Sequence, residues 1–288
     1  MKAIVLGAGG QLGIELSQQL GRRGHDVIAL SREHLDITSS EAVDEAIDAN
    51  QPDWVFNTAA YNFVDLAESE PEKAMAVNGI AVGGIARACQ RHGAALVHYS
   101  TDHIFGGDKS EPYTEADLPA PPAAYGVSKL AGEHFARAFC ERAYVVRVAG
   151  VFGPAGRTTN RGNFPELMLK KAAEGVALRV VEDFVATPTY AVPLASRSID
   201  LVERTPPGLY HIGGGEAVSF YEWALKIFEA AGVEADLSPT NHLEFPTPAR
   251  RPRQCSLSNA KVESLGLDPM PSLDEAHRDY FRRRNRQS

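Results

Sequence analysis

With 288 residues, 44% of them hydrophobic and 23% charged, the chain is long enough for one large α/β domain plus a smaller lobe, and too apolar for disorder along its length. A net charge of −8 argues against nucleic acid as a bulk partner. Cys89, Cys140 and Cys255 are odd in number and far apart, which excludes a disulfide framework or cysteine metal cluster and reads as reduced thiols of a cytoplasmic protein.

The opening run, MKAIVLGAGG, lacks the apolar core of a signal peptide, and no stretch approaches the roughly 18 apolar residues of a membrane span. No membrane partner is expected. Residues 2–6 predict a strand, and 11–23 a helix with Leu12, Leu16 and Leu20 on one stripe. Strand signal returns at 26–30. Ser39 and Ser40 offer caps to a helix over 41–50 that Pro52 ends. A strand at 54–58, a long helix over 70–92, a strand at 96–100, a helix over 125–139 and a strand at 144–148 complete the series. This alternation implies parallel strands joined by right-handed crossovers, hence an α/β Rossmann-type doubly wound sheet.

After about residue 150 the rhythm loosens. A Gly, Thr and Asn-rich loop at 153–162 precedes a helix at 164–174, a strand at 178–181, a helix at 190–203, a strand at 208–212 and a helix at 219–231. Residues 237–256 hold four prolines and no strong period. The pattern predicts a dinucleotide-binding domain over 1–150 and a mainly substrate-binding lobe over 151–288, with room for the chain to cross back. Of the two basic clusters, Arg282, Arg283, Arg284 and Arg286 read as a solvated helix end whose charge suits the dipole.

Gly7, Gly10 and Gly13 give a G-x-x-G-x-x-G spacing between the first strand and the first helix, with Gln11 and Leu12 inside it. Glycine there allows a tight turn, close approach to a pyrophosphate and close helix–strand packing, and the helix N-terminus offers free N–H groups to phosphate. At the end of the second strand, where an NAD site carries an acid, the chain has Ser31 and Arg32. A hydroxyl and a guanidinium suit a 2′-phosphate, so NADPH is expected, with NADH the alternative because Glu33 is adjacent. Asp36 and Ile37 are expected toward the adenine.

Tyr125 and Lys129 stand at i and i+4 on a predicted helix. A lysine cation beside a phenol favours its ionised form and brings a group of pKa about 10 toward working pH. A lone Tyr-x-x-x-Lys also decorates ordinary helix surfaces. Here it follows Ser100 and Thr101 at a strand end, where ligands of open α/β sheets sit. Thr101 is expected to hold a substrate oxygen and Tyr125 to protonate it.

These residues resemble the extended short-chain dehydrogenase/reductases and, within them, the dTDP-4-dehydrorhamnose reductase family. The matching runs include Gly10-Gln11-Leu12-Gly13, Leu35-Asp36-Ile37-Thr38, and Asn57-Thr58-Ala59-Ala60-Tyr61 with Val64-Asp65 and Ala67-Glu68. Further on come His98-Tyr99-Ser100-Thr101-Asp102, Tyr125-Gly126 with Ser128-Lys129-Leu130 and Gly132-Glu133, then Asn163-Phe164, Pro188-Thr189, and Pro246-Thr247-Pro248-Ala249 with Arg251-Pro252. The resemblance covers nearly the whole chain. It implies reduction of the 4-keto group of a dTDP-linked 6-deoxyhexose in deoxysugar biosynthesis, with Thr101, Tyr125 and Lys129 catalytic. It implies that Asn57, Ala59, Ala60, Tyr61, Asn78 and Ser100 line the cofactor cleft, and that Asp102, Phe105, Asn163 and Arg251 serve the nucleotide sugar. Arg251 would clamp the diphosphate.

Three departures bear on the sugar. Gly150 lies where the family carries a tryptophan, Phe184 replaces a glutamine after Asp183, and His103 replaces a tyrosine after the Thr-Asp pair. Glu15 matches one carboxylate of a metal-dependent dimer contact, but Val192-Pro193 replaces the later acid. The nine histidines show no ligand spacing, so no metal is expected, and the chain is expected to be a monomer or a homodimer. Two alternatives stay open: another nucleotide-sugar epimerase or dehydratase, and a non-catalytic cofactor-binding regulatory subunit.

Overall fold

The computed structural model describes residues 1–159 and 162–286, so positions 160–161 of the expected loop lie outside the described residues. The first half builds β1 (Lys2–Leu6), α1 (Gln11–Arg22), β2 (Asp26–Leu30), α2 (Ser40–Asn50) and β3 (Trp54–Asn57). Next come α3 (Pro71–Met75), α4 (Ala81–His92), β4 (Ala95–Thr101), α5 (Ala124–Phe139) and β5 (Ala143–Val148). The second half adds α6 (Phe164–Ala173), β6 (Leu178–Val181), β7 (Val185–Ala186), α7 (Ala191–Arg204) and β8 (Gly208–His211). It closes with β9 (Val218–Ser219), α8 (Phe220–Ala231), β10 (Leu237–Thr240), α9 (Ala260–Ser264) and α10 (Leu273–Arg286). Among the described residues, no helix is long and apolar enough to cross a membrane.

Six strands form one parallel sheet in the order β2-β1-β3-β4-β5-β8. Alternate residues serve opposite faces. Val5, Phe56, Val97 and Val146 pack with Leu16 and Leu20 of α1 and Leu194 and Ile199 of α7. Ile4, Val55, Leu96 and Val145 pack with Val43 and Ile47 of α2 and Val82 and Ile85 of α4. Both faces are covered, which is why these strands read as continuous apolar runs. The strand order reverses between β1 and β3, the kind of switch point beyond whose carboxyl ends open α/β sheets take their ligands. Beyond residue 150 the chain returns to this sheet as β8, paired with β5. Phe152, Trp223, Tyr280 and Phe281 centre a separate C-terminal core.

Three sequence expectations change. The long helix over 70–92 starts at Pro71 and is interrupted by a π-helical turn at Ala76–Ile80. Close packing accompanies the break: a β-carbon at Gly79 would sit 2.7 Å from Met75 Sδ and 3.3 Å from Ala131 Cβ of α5. The segment without a period contains β10, which pairs with β6 in a two-stranded sheet that tolerates Pro239 at its edge. The terminal arginines are not simply solvated. Arg284 bonds Glu166 of α6 at 2.7 and 3.1 Å, and Arg283 bonds Asp279 at 2.7 Å, so part of the cluster ties α10 to α6.

Candidate active site

The glycine loop is built by close approach. Gly7 has φ +76°, and a β-carbon there would lie 2.6 Å from Ala59 N, while one at Gly13 would lie 2.5 Å from the Gly7 carbonyl oxygen. Gly10 precedes α1 and no side chain caps that helix, so its amides and positive dipole end remain for an anion. A dinucleotide pyrophosphate fits this cradle. Gln11 ties the loop to the C-terminal half: its Oε1 accepts from Gly153 N and Asn163 Nδ2, both at 2.9 Å. Leu12 is buried in the core below.

The cleft's far wall is the Ala59–Ala60–Tyr61 loop. Asn78, from the π-helical turn, accepts from Tyr61 N at 2.8 Å and donates to Tyr61 O at 2.9 Å and Ser128 Oγ at 3.0 Å. Only 1% exposed, Asn78 braces this wall against α5. Asn57 and Ser100 are also buried, Asn57 Nδ2 lying 3.3 Å from His98 Nδ1. Ser31 is beside the loop, its Cβ 3.6 Å from where Gly9 would carry one, and its Oγ is 2.9 Å from His34 Nδ1. Arg32 is exposed next to it. Asp36 instead turns back to accept from Thr38 N at 3.0 Å and Thr38 Oγ1 at 2.8 Å, bonds that hold its carboxyl below the usual range. Ile37 is buried in the core, while Asp36 is exposed.

Tyr125 lies in the first turn of α5. Gly126 permits close approach of α5 to the segment after Thr101, since a β-carbon there would sit 2.3 Å from the His103 carbonyl oxygen. The Tyr125 hydroxyl donates to Asn62 Oδ1 at 3.4 Å, and the His103 ring stands edge-on to the Tyr125 ring at 5.7 Å. Thr101 Oγ1 donates to Asp102 Oδ1 at 2.9 Å and accepts from His103 N at 3.2 Å. One turn beyond Tyr125, Lys129 is 3% exposed and donates from Nζ to the Tyr99 carbonyl at 2.5 Å. Burial pushes Lys129 down to about 8, with the nearby Glu133 carboxylate acting the other way. An ammonium near its titration point beside a phenol is an arrangement for moving a proton.

The expected substrate residues divide. Asp102 is buried and holds Thr101. Phe105 is fully buried, stacked on Tyr113 at 4.0 Å, and so belongs to the floor under the site. Asn163 caps α6 through Glu166 N at 3.0 Å and bonds Gln11, which gives it a bracing position. Arg251 is half-buried and paired in fork geometry with Asp65, at 3.0 and 2.8 Å. Asp65 also accepts from Ala249 N at 3.1 Å. Three residues on, Glu68 accepts from Ala124 N at 2.8 Å, supplying the cap that Ala123 cannot give α5. Both carboxylates stand in the Val64-Asp65 and Ala67-Glu68 runs, but their partners are too distant in sequence for spacing to reveal them.

At the departures, Gly150 has φ +48° and a β-carbon there would lie 3.5 Å from the Trp223 ring. Trp223 itself is buried and donates to His277 Nε2 at 3.1 Å, so it does not replace an open aromatic wall. The Phe184 ring is 6.2 Å from that of His242, which pairs with Asp183. The buried Glu15 carboxyl is pushed up by desolvation, and among the described residues no group of three His, Cys, Asp or Glu is placed to hold a metal.

Residues 1–285 match the RmlD substrate binding domain family. The chain is 38% identical over 284 residues to a spore coat polysaccharide biosynthesis protein of Bacillus subtilis, covering 99% of this chain and 98% of that one. It is 38% identical to a dTDP-4-dehydrorhamnose reductase of Mycolicibacterium smegmatis, covering 96% of this chain and 84% of the relative. The crystal structure of a Clostridium acetobutylicum dTDP-4-dehydrorhamnose reductase superposes with a TM-score of 0.93 at 34% identity, covering 98% and 99% of the two chains. A Bacillus anthracis dTDP-4-dehydrorhamnose reductase in complex with NADP gives 0.92 at 32%, covering 97% and 98%. The glycine cradle, the threonine at the strand end and the Tyr–Lys pair of α5 thus occur in a chain that belongs to the dTDP-4-dehydrorhamnose reductase family, within the Rossmann-type extended short-chain dehydrogenase/reductases.

Proposed function

We propose that this protein, an NAD(P)H-dependent oxidoreductase by family, reduces the 4-keto group of a dTDP-linked 6-deoxyhexose for deoxysugar biosynthesis, with NADPH as its reductant. The observation that carries the reading is Tyr125 in the first turn of α5, one turn before the buried Lys129, with Thr101 at the carboxyl end of β4. NADPH, when bound, supplies hydride to the sugar C4. Gly7, Gly10 and Gly13 with the α1 N-terminus hold the pyrophosphate, and Ser31 and Arg32 receive the 2′-phosphate. Thr101 donates a hydrogen bond to the C4 oxygen, exchanging its present acceptor Asp102 for the substrate. Tyr125 delivers the proton to that oxygen, so that carbonyl becomes alcohol, and Lys129 compensates the negative charge left on the phenol.

Residues 1–150 serve mainly the cofactor and 151–288 mainly the nucleotide sugar, where Arg251 takes the diphosphate. All these residues come from one chain, so the chemistry needs no second subunit, and a monomer and a homodimer suit it equally. The free, buried cysteines fit a reducing cytoplasm. The test is NADPH oxidation on adding dTDP-4-dehydrorhamnose or another 4-keto sugar nucleotide. Turnover is expected, falling about 100- to 10,000-fold in Tyr125→Phe with NADPH binding retained. No turnover with any such sugar, despite tight NADPH binding, defeats the reading.

A further inference from the structure

Lys129 is buried, and its 2.5 Å bond to the Tyr99 carbonyl orients the amine without neutralising it. Glu133, one helical turn further along α5, is 3% exposed and fixed by Arg147 of β5. Arg147 Nε donates to its two oxygens at 2.9 and 3.2 Å, and Nη2 to Oε2 at 2.8 Å. Behind the guanidinium, the Phe105 ring lies 5.2 Å from Cζ and His211 Nε2 lies 3.4 Å from Nη1. His211 is pushed down to about 3 by burial and by Arg147, so it brings no second cation. On β4, burial and the Lys129 charge hold His98 well below its ordinary value, so it too is neutral. Along α5, Tyr125 stands one turn before Lys129 and Glu133 one turn after it, and the Glu133 carboxylate, paired with Arg147, raises the Lys129 value against burial.

We propose that Glu133 and Arg147 are positioning residues of the reaction: Glu133 supplies the negative field that keeps Lys129 cationic beside Tyr125, and Arg147 sets its strength. A buried ion pair contributes little net stability over apolar replacements, so stability alone does not account for this pair. The proposal rests on the Tyr125–Lys129 reading. If Tyr125→Phe turns over normally, that reading fails; if Tyr125→Phe is inactive but the shifts below are absent, only the present proposal fails.

The test is the pH profile of kcat/KM for keto-sugar reduction at saturating NADPH. Activity of the unaltered enzyme should fall as pH rises through about 8, where Lys129 loses its proton. Glu133→Gln removes the attraction, and its alkaline limb should lie lower by about one pH unit or more. Arg147→Met leaves the carboxylate unopposed, and its limb should move the other way. Glu133→Asp, keeping the charge, should restore the unaltered position. Should a single variant fail to fold, the double change Glu133→Gln with Arg147→Met leaves no lone buried charge. Its limb is expected below that of the unaltered enzyme, because Glu133 stands one helical turn from Lys129. Limbs coincident with the unaltered enzyme, or displaced in the same direction in both single variants, would overturn the proposal.

Discussion

Asp65 shows how much a single side chain can organise. It holds both the Arg251 guanidinium and the Ala249 amide, and so fixes a stretch of chain 186 residues away in sequence. Asp65→Asn keeps the shape and removes the charge-assisted fork, leaving Arg251 free to wander from the position in which we propose it meets the diphosphate. A several-fold or greater rise in KM for the sugar nucleotide is expected, with kcat less affected. A fall in kcat at unchanged KM would show that Asp65 serves the chemical step instead. Residue types legible in the sequence were those whose spacing is itself the signal: the three glycines, and Tyr125 with Lys129. Phe105 and Asn163 show what spacing leaves open: sequence says an aromatic or an amide is present, not which way it faces. One turned into the core and the other became a helix cap.

Helix α5 carries Tyr125 and Lys129, the proposed proton-handling pair, and its start is held from outside. Ala123 has no capping side chain, so the Glu68 bond to Ala124 N does that work one residue before Tyr125. Glu68→Ala should cost about 1 kcal/mol of stability, as other lost caps do. It should also lower kcat, because the frayed turn carries the proton donor. Thermal denaturation and turnover measured on the same sample check this; a lower melting temperature with unchanged kcat would contradict the second half. Helices and central strands were legible because a long apolar period survives local irregularity. The π-helical turn at Ala76–Ile80 was not, since it preserves the apolar stripe and is marked mainly by Gly79 packing against α5. Strand β10 escaped because its proline and edge position erase the alternation that identifies strands.

Across the whole molecule, the sheet brings the glycine cradle and the Thr101 strand end to one edge, and the C-terminal half is tied to that edge twice. Gln11 bonds Gly153 and Asn163 beside the cradle, and Asp65 bonds Arg251. The α/β class and the cofactor edge followed from alternation in the sequence. The ties did not, because each joins residues more than a hundred positions apart. Gly150 and Phe184 are departures at positions that the resemblance assigns to the sugar, while the glycine loop, Thr101, Tyr125 and Lys129 keep the family's residues. The central claim is therefore hydride transfer to a sugar C4. The most direct measurement is to supply NADPH deuterated at the transferred position together with dTDP-4-dehydrorhamnose, and to analyse the product by NMR. One deuterium at C4 of the product sugar is expected for each NADPH oxidised. Product formed without deuterium at C4, or cofactor bound with no sugar reduced, would contradict it.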